Sequence, residues 1–136
     1  MNQHASGPFE VKIAPQPADN PQAQAAGVGR MSLDKRFHGD LEATSVGQML
    51  AVRGEPKDSA GYVAMEIVTG SLHGRSGSFA LQHSGTMHAG GQQLVIAVVP
   101  GSGTGALAGL SGTMQITIAE GGKHAYAFDY TLPAAP

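Results

Sequence analysis

The segment Thr113–Leu132 reads TMQITIAEGGKHAYAFDYTL. Apolar residues alternate with polar or small residues on both sides of the pair Gly121-Gly122. An alternation with a period of two predicts a β-strand that has one buried face. Two such strands separated by two glycines predict a β-hairpin.

The same alternation recurs along the chain, in runs that begin at Phe9, Met31 and Val63, and glycine-containing turn signals separate the runs. Only residues 18–26 depart from it, and they predict a loop with at most one helical turn. The pattern predicts strands near residues 7–14, 28–38, 41–52, 60–69, 72–87, 92–99, 107–119 and 123–132. Strands joined in sequence by short turns close most simply into a barrel, because closure pairs the two exposed edges. We therefore expect an all-β fold, a closed eight-stranded antiparallel up-and-down barrel.

Composition limits the organisation of the chain and its partners. The 136 residues predict a single barrel domain over 1–136, with flexible ends at 1–6 and 133–136. A net charge of −2 without a basic run argues against nucleic acid or a membrane surface as a partner. Cysteine is absent, which excludes a disulfide framework, a thiolate metal site and a catalytic thiol. No secretory leader is recognisable at the N-terminus, so we expect a cytoplasmic protein.

Three long stretches identify a resemblance to a known family. They are GRMSLDKRFHGDLEATSVGQML (Gly29–Leu50), GYVAMEIVTGSLHGRSGSFALQHSGTM (Gly61–Met87) and PGSGTGALAGLSGTMQI (Pro100–Ile116). In this order they resemble the bacterial domain-of-unknown-function family numbered 3224. The resemblance implies an eight-stranded barrel similar to allene oxide cyclase and the dirigent proteins, and it implies no agreed activity. The catalytic pattern of the cyclase family includes a cysteine, so no cyclase residue is carried over to this chain.

Two motifs resemble cofactor or metal sites but lack the required context. The segment Gly101–Ala108 matches the glycine pattern of a dinucleotide-binding loop, yet an alternating run follows it instead of a helix. The six histidines include no His-x-His pair, the spacing that would place two ligands on one face of a strand. The sequence therefore predicts neither a cofactor nor a metal site.

The predicted barrel has a lumen, which strand parity allows us to line with residues. Few large side chains are available to fill it, since tryptophan is absent and aromatic residues make up 5% of the chain. An eight-stranded barrel either fills its lumen or holds one small ligand, and this composition favours a ligand. The predicted ligand-binding residues are His83, Tyr126, Tyr130, Glu66, Phe37, Phe79, Phe128 and Met65. The remaining residues expected to line the lumen are Phe9, Val11, Leu33, Leu81 and Met114.

Among these residues, His83 is the best candidate for proton transfer, because histidine changes its charge closest to neutral pH. Tyr126 or Tyr130 could form a hydrogen bond with a ligand oxygen. Met65 and Glu66 are neighbours on one strand and cannot both face the lumen. The alternation of Val63, Met65 and Ile67 favours Met65, and Glu66 faces inward only if the strand is shifted by one residue.

Three functions remain open at this point. The first is binding of a small apolar or amphipathic molecule in the lumen. The second is a cofactor-free isomerase or cyclase resembling allene oxide cyclase, which requires titratable groups that converge in the lumen. The third is a structural or interaction module with a filled lumen.

A homo-oligomer is expected for any of these functions, with a dimer favoured. Leu94–Val99 is apolar on both faces, and 61–68 is nearly so. A barrel strand buries only its inner face, so the outer apolar side chains need another cover. A second copy of the same surface would provide it in a two-fold dimer.

Overall fold

The computed structural model describes residues 2–55 and 58–133 and contains a closed barrel of eight antiparallel strands. Neighbouring strands in the sequence are neighbours in the barrel, and the first strand pairs with the last, which confirms the predicted fold. The strands are β1 (Asn2–Gln16), β2 (Gly29–Phe37), β3 (Leu41–Arg53), β4 (Ala60–Leu72), β5 (Arg75–His88), β6 (Gly91–Val98), β7 (Ser111–Ile118) and β8 (His124–Thr131). A short helix, α1 (Pro21–Ala26), and two 3₁₀ turns, at Gly105–Leu107 and Glu120–Gly122, complete the described structure.

Strand β1 closes the barrel because it pairs with a different neighbour along each of its halves. Residues 2–9 pair with β8, whereas residues 9–16 pair with β2. Residues 2–6, which the sequence analysis assigns to a flexible end, pair with β8 in the structure. At the other terminus, Pro133 follows β8 without regular structure, and 134–136 lie outside the described residues.

The hairpin between β7 and β8 forms where the two glycines predict it, although its loop is longer than two residues. Residues 119–123 connect the strands, and the backbone N–H of Ala119 donates to the carbonyl of Lys123 at 2.7 Å. Gly121 and Gly122 have φ values of 83° and 80°, in the left-handed region that favours glycine. The glycine pair thus allows the reversal of the chain.

One half of the lumen is filled by side chains. Phe128 lies between Phe79 and Tyr130, with ring centroids 5.8 and 5.3 Å apart, and all three side chains are buried. Leu107 and Leu110, from the segment between β6 and β7, join the same buried cluster. Packing of this density gives the barrel its core and leaves no room for a ligand in this half.

The structure corrects the predicted facing of β4. Ala64, Glu66 and Val68 are buried inside the barrel, whereas Val63, Met65 and Ile67 are about half exposed on the outside. The pairing between strands explains the outcome, because directly opposed residues of an antiparallel pair lie on the same face. Glu66 is opposite Leu81, which is fully buried, so the β4 face that carries Glu66 is the inner one.

Within the described residues, no helix has the length and apolar character needed to cross a membrane. The longest helix, α1, has six residues and buries none of them.

Candidate functional site

The half of the lumen opposite the packed core is open and forms a cavity of about 1100 Å³. Every strand of the barrel contributes to its wall, which is mostly apolar. At the mouth, Ile13 and Ile118 have relative exposures of 50% and 67%, so the cavity opens to solvent at this end. The wall includes Val11, Leu33, Met49, Ala64, Leu94 and Ile116.

Lys35 and His83 form the polar floor of this cavity. On β2, Leu33 and Lys35 line the cavity, whereas the next inward residue, Phe37, belongs to the packed core. On β5, His83 lines the cavity, and the next inward residue in the direction of the core, Leu81, is fully buried. Both polar side chains therefore lie at the boundary between the open and the packed halves of the lumen.

Glu66 lies behind the floor and connects its polar groups. Lys35 Nζ donates to Glu66 Oε2 at 2.8 Å, and His83 Nε2 lies 2.6 Å from the same oxygen. Ser45 Oγ donates to the other carboxylate oxygen, Oε1, at 2.6 Å. All four side chains are buried, so this is an interior hydrogen-bonded network rather than a surface ion pair.

The network keeps Glu66 ionised although it is buried. Burial on its own would raise the pKa of Glu66. The hydrogen bond from His83, the charge and hydrogen bond of Lys35, and the hydrogen bond from Ser45 outweigh this effect and lower the pKa to about 2. An ionised carboxylate is a hydrogen-bond acceptor only, which has a consequence for His83.

The carboxylate determines which nitrogen of His83 carries a proton. Since Glu66 can only accept, Nε2 must be the protonated nitrogen, and in the neutral ring Nδ1 then carries the lone pair. Nδ1 has no hydrogen-bond partner within residues 2–55 and 58–133. Nδ1 is also not fully buried. In those ranges, the only fully buried side-chain polar atom without a hydrogen-bond partner is Arg30 Nε, so an unpartnered Nδ1 must have some solvent exposure. The basic nitrogen of His83 is thus accessible from the cavity.

The Lys35 ammonium is held by aromatic rings as well as by Glu66. Its Nζ atom lies 5.6 Å from the centroid of the Phe9 ring and 5.9 Å from that of the Phe37 ring. Such cation–π contacts stabilise an ammonium away from bulk water. An ammonium has three N–H donors, and only one of them is used on Glu66. Lys35 therefore retains donors for a molecule in the cavity.

Tyr62 places a phenol in the cavity wall beside His83. Its ring lies over Gly85, where an added Cβ atom would come within 2.4 Å of the ring, and its centroid is 6.4 Å from that of His83. Burial and the negative charge of Glu66 raise the pKa of Tyr62, so its hydroxyl stays protonated. The absence of a side chain at position 85 is what allows the phenol to lie against the wall beside His83.

The floor has a balanced charge and is not arranged to bind a metal ion. One carboxylate faces one ammonium, and with a neutral His83 ring the network has no net charge. In the part of the chain that the structure describes, no group of three His, Asp or Glu side chains could hold a metal ion. The arrangement instead offers a hydrogen-bond donor and a base, side by side, at the end of an apolar cavity.

The structure places the eight predicted ligand-binding residues in three locations: at the cavity, on the outer face and in the packed core. His83 lines the cavity and Glu66 contacts it from behind, whereas Met65 is 51% exposed on the outer face. The other five lie among the buried residues of the packed core and do not line the cavity: Phe37, Phe79, Phe128, Tyr126 and Tyr130.

The two tyrosines use their hydroxyl groups within the protein. The hydroxyl of Tyr126 donates to the carbonyl of His38 at 2.7 Å and accepts from the backbone N–H of Leu41 at 2.9 Å. The hydroxyl of Tyr130 is hydrogen-bonded to Nδ1 of His73. These bonds satisfy the phenols within the packed half of the lumen, away from the open cavity.

Sequence reasoning did not find Lys35, Ser45 or Tyr62. A signal existed for Lys35, because it has the parity of Leu33 and Phe37, which were assigned to an inner face. Ser45 likewise has the parity of the buried Leu41 and Ala43. Tyr62 required the correct facing of β4, which the sequence pattern did not provide.

Comparisons with known proteins place these features in a family. A crystal structure of a protein with unknown function from the DUF3224 family, from Shewanella oneidensis MR-1, is 46% identical in sequence. The alignment covers 98% of this chain and 100% of that protein, with a TM-score of 0.88. No curated protein matches the sequence. The family model described as "Protein of unknown function (DUF3224)" matches residues 5–130, and the chain therefore belongs to the DUF3224 family.

Proposed function

We propose that the barrel binds one small apolar or amphipathic molecule in the open half of its lumen. The observation that carries this proposal is a cavity of about 1100 Å³ that has apolar walls and the polar floor of Lys35 and His83. Ligand sites in proteins are typically concave and mostly apolar, with a few polar groups that orient the ligand. A structural module with a filled lumen is not supported, because only one half of this lumen is packed.

Binding of a neutral dye tests the proposal directly. N-phenyl-1-naphthylamine fluoresces more strongly in apolar surroundings, so titration of the protein should give a saturable increase in fluorescence. Ala51 lines the cavity near its mouth, and Ala51→Trp should fill this space and weaken binding at least about tenfold, or about 1.4 kcal/mol. The matched control is Thr117→Trp, since Thr117 is exposed on the outer face of β7 and is adjacent to Ile116 of the cavity wall.

The two variants separate cavity binding from adsorption to the surface. The proposal requires weak binding by Ala51→Trp and unchanged binding by Thr117→Trp. Equal affinity of Ala51→Trp and the wild-type protein, or no saturable binding by the wild-type protein, would contradict it. Native mass spectrometry of protein purified from its own host should in addition detect a retained small molecule.

We also propose that the chain forms a homodimer through the outer face of β3–β6. Seven apolar residues of this face are at least 45% exposed, and we call them the outer apolar face: Val46, Leu50, Val52, Val63, Met65, Ile67 and Val95. The central segments 44–52, 60–72, 76–87 and 91–98 contain no Asp, Lys or Arg, and their only Glu and His side chains, Glu66 and His83, are buried inside the barrel. The other charged side chains of these strands lie at the strand ends, at Glu42, Arg53 and Arg75. An apolar surface without charges across the centre of four adjacent strands is complementary to a second copy of itself.

Light scattering tests the dimer. The wild-type protein should have about twice the mass of the 13.8 kDa chain. The double variant Val63→Lys/Ile67→Lys places four like charges in the interface of a two-fold dimer and should give the mass of one chain. Gln115→Lys, on the exposed face of β7, is the control and should leave the dimer intact. A monomeric wild-type protein, or an unchanged mass of the double variant, would refute the interface.

A further inference from the structure

Two chemically complementary side chains, those of Lys35 and His83, line the same cavity. Lys35 Nζ and His83 Nε2 lie on one carboxylate oxygen at 2.8 and 2.6 Å, so these nitrogens are no more than about 5.4 Å apart. Lys35 has unused N–H donors, and His83 has an accessible lone pair on Nδ1. A carbonyl compound matches this pair, because its oxygen accepts a hydrogen bond and the adjacent carbon carries an acidic C–H.

We propose that the cavity floor catalyses proton transfer at the carbon next to the carbonyl of an apolar ketone. His83 is the general base, Lys35 is the hydrogen-bond donor to the carbonyl oxygen, and Glu66 is a positioning residue. This inference rests on the proposed function, because the ketone must first bind in the cavity.

The reaction is balanced without a cofactor. Nδ1 of His83 takes the proton as the C–H bond breaks, and the electron pair of that bond moves into the carbonyl group to form an enolate. The N–H groups of Lys35 stabilise the negative charge that develops on the oxygen. The imidazolium then returns the proton to the same carbon or, in an unsaturated ketone, to a carbon two positions further along. The first outcome exchanges a hydrogen when the proton held on Nδ1 is replaced from solvent, which enters through the open mouth of the cavity, before it is returned. The second outcome shifts a double bond.

The charge of the floor favours a neutral ketone over an anionic ligand. The positive charge of Lys35 is already balanced by Glu66, which is buried and ionised. A ligand carboxylate would add a second negative charge to an apolar site and would approach Glu66. A ketone becomes negative only while the proton is held by His83, so the total charge of the site does not change during the reaction.

The network also prepares both groups for this step. Glu66 holds the proton of His83 on Nε2, which keeps Nδ1 available as the base. The rings of Phe9 and Phe37 hold the Lys35 ammonium in the apolar cavity, where a fixed donor is more effective than in water. Tyr62 forms the cavity wall beside His83.

Hydrogen–deuterium exchange of 2-tetralone tests the proposal. This apolar bicyclic ketone has acidic C–H groups next to its carbonyl, and the loss of their proton NMR signals in D₂O reports enolisation. The wild-type protein should accelerate exchange over buffer, and His83→Gln should slow the catalysed rate by about 10²-fold or more. Lys35→Met should also slow it. The controls are His88→Gln and Lys12→Met, both at exposed positions, and they should exchange like the wild-type protein.

Displacement of N-phenyl-1-naphthylamine by 2-tetralone distinguishes the two proposals. Displacement without accelerated exchange, or equal exchange by His83→Gln and the wild-type protein, overturns the catalytic proposal while cavity binding stands. No binding of either molecule overturns both proposals.

A measurement on the unmodified protein covers the case in which the variants do not fold. 2-Naphthol is a planar mimic of the enol form of 2-tetralone, and its addition should shift the ¹⁵N resonance of His83 Nδ1. A ¹⁵N resonance that does not move at saturating 2-naphthol overturns the role of His83 as the base.

Discussion

Glu66→Gln is the substitution whose effect on stability the structure defines most closely. At neutral pH the wild-type carboxylate is paired with Lys35, and the variant leaves the Lys35 ammonium buried without a charged partner. The loss of one member of a buried ion pair costs about 3–5 kcal/mol. We therefore expect the free energy of unfolding of Glu66→Gln to be lower than that of the wild-type protein by about this amount at pH 7.

This difference should decrease on acidification. The pKa of Glu66 is lowered from 4.5 to about 2 in the folded protein, so the unfolded chain takes up the proton first as the pH falls. The resulting stabilisation is fully present above pH 4.5 and is lost as the pH decreases toward 2. The difference between the two pKa values corresponds to a contribution of about 3 kcal/mol to the free energy of unfolding. The side chain is 1% exposed, so solvent screening does not reduce this contribution substantially.

Urea denaturation at pH 7, 5, 4, 3 and 2, followed by circular dichroism, measures the effect. The difference in unfolding free energy between the wild-type protein and Glu66→Gln should decrease by about 3 kcal/mol between pH 5 and pH 2. Asp34→Asn removes an exposed carboxylate from β2 and serves as the control, with a curve close to that of the wild-type protein. A difference between the wild-type protein and Glu66→Gln that stays constant from pH 5 to pH 2 would refute the reasoning.

Two further substitutions test the packing on either side of the floor. Gly47→Ala should destabilise the barrel and weaken dye binding, because the new Cβ would lie 2.8 Å from the Cβ of Glu66 and 2.1 Å from the Met65 carbonyl oxygen. Thermal unfolding and the dye titration measure these effects, and an unchanged melting temperature would contradict the expected clash. Tyr126→Phe should lower the unfolding free energy by about 1–3 kcal/mol, since the Leu41 N–H loses its partner, and dye affinity should not change because Tyr126 lies outside the cavity. A loss of dye binding would show that the two halves of the lumen are coupled.

The strand content could be predicted from the sequence because alternation is a local property. The prediction of the inner face was wrong for β4, because both faces of this strand are apolar and the alternation then does not identify the buried face. Glu66 marks the inner face of β4, but a carboxylate is expected at the surface unless its partners are known. Those partners, Lys35 and His83, come from β2 and β5, and only the register between strands brings them to β4.

The position of the cavity depends on all strands together, which is why it could not be predicted. Phe37, Phe79 and Phe128 fill one half of the lumen, whereas the wall of the other half includes Gly29 and Gly85. The alternation of each strand assigns residues to the lumen, but it does not say at which depth large side chains from different strands meet. The sequence therefore predicted a lumen and not its division into a packed and an open half.

The pairing of β1 with β8 has a consequence for synthesis on the ribosome. Asn2 is opposite Thr131, so the seam of the barrel joins two segments separated by almost the whole chain. The N-terminal half of β1 has no partner until β8 has been made, and its free backbone groups can pair with other chains during this interval. Contacts between such distant residues also form slowly, because a long loop must close first. We therefore expect the seam to close late in folding, and the cavity is enclosed only when the seam has closed.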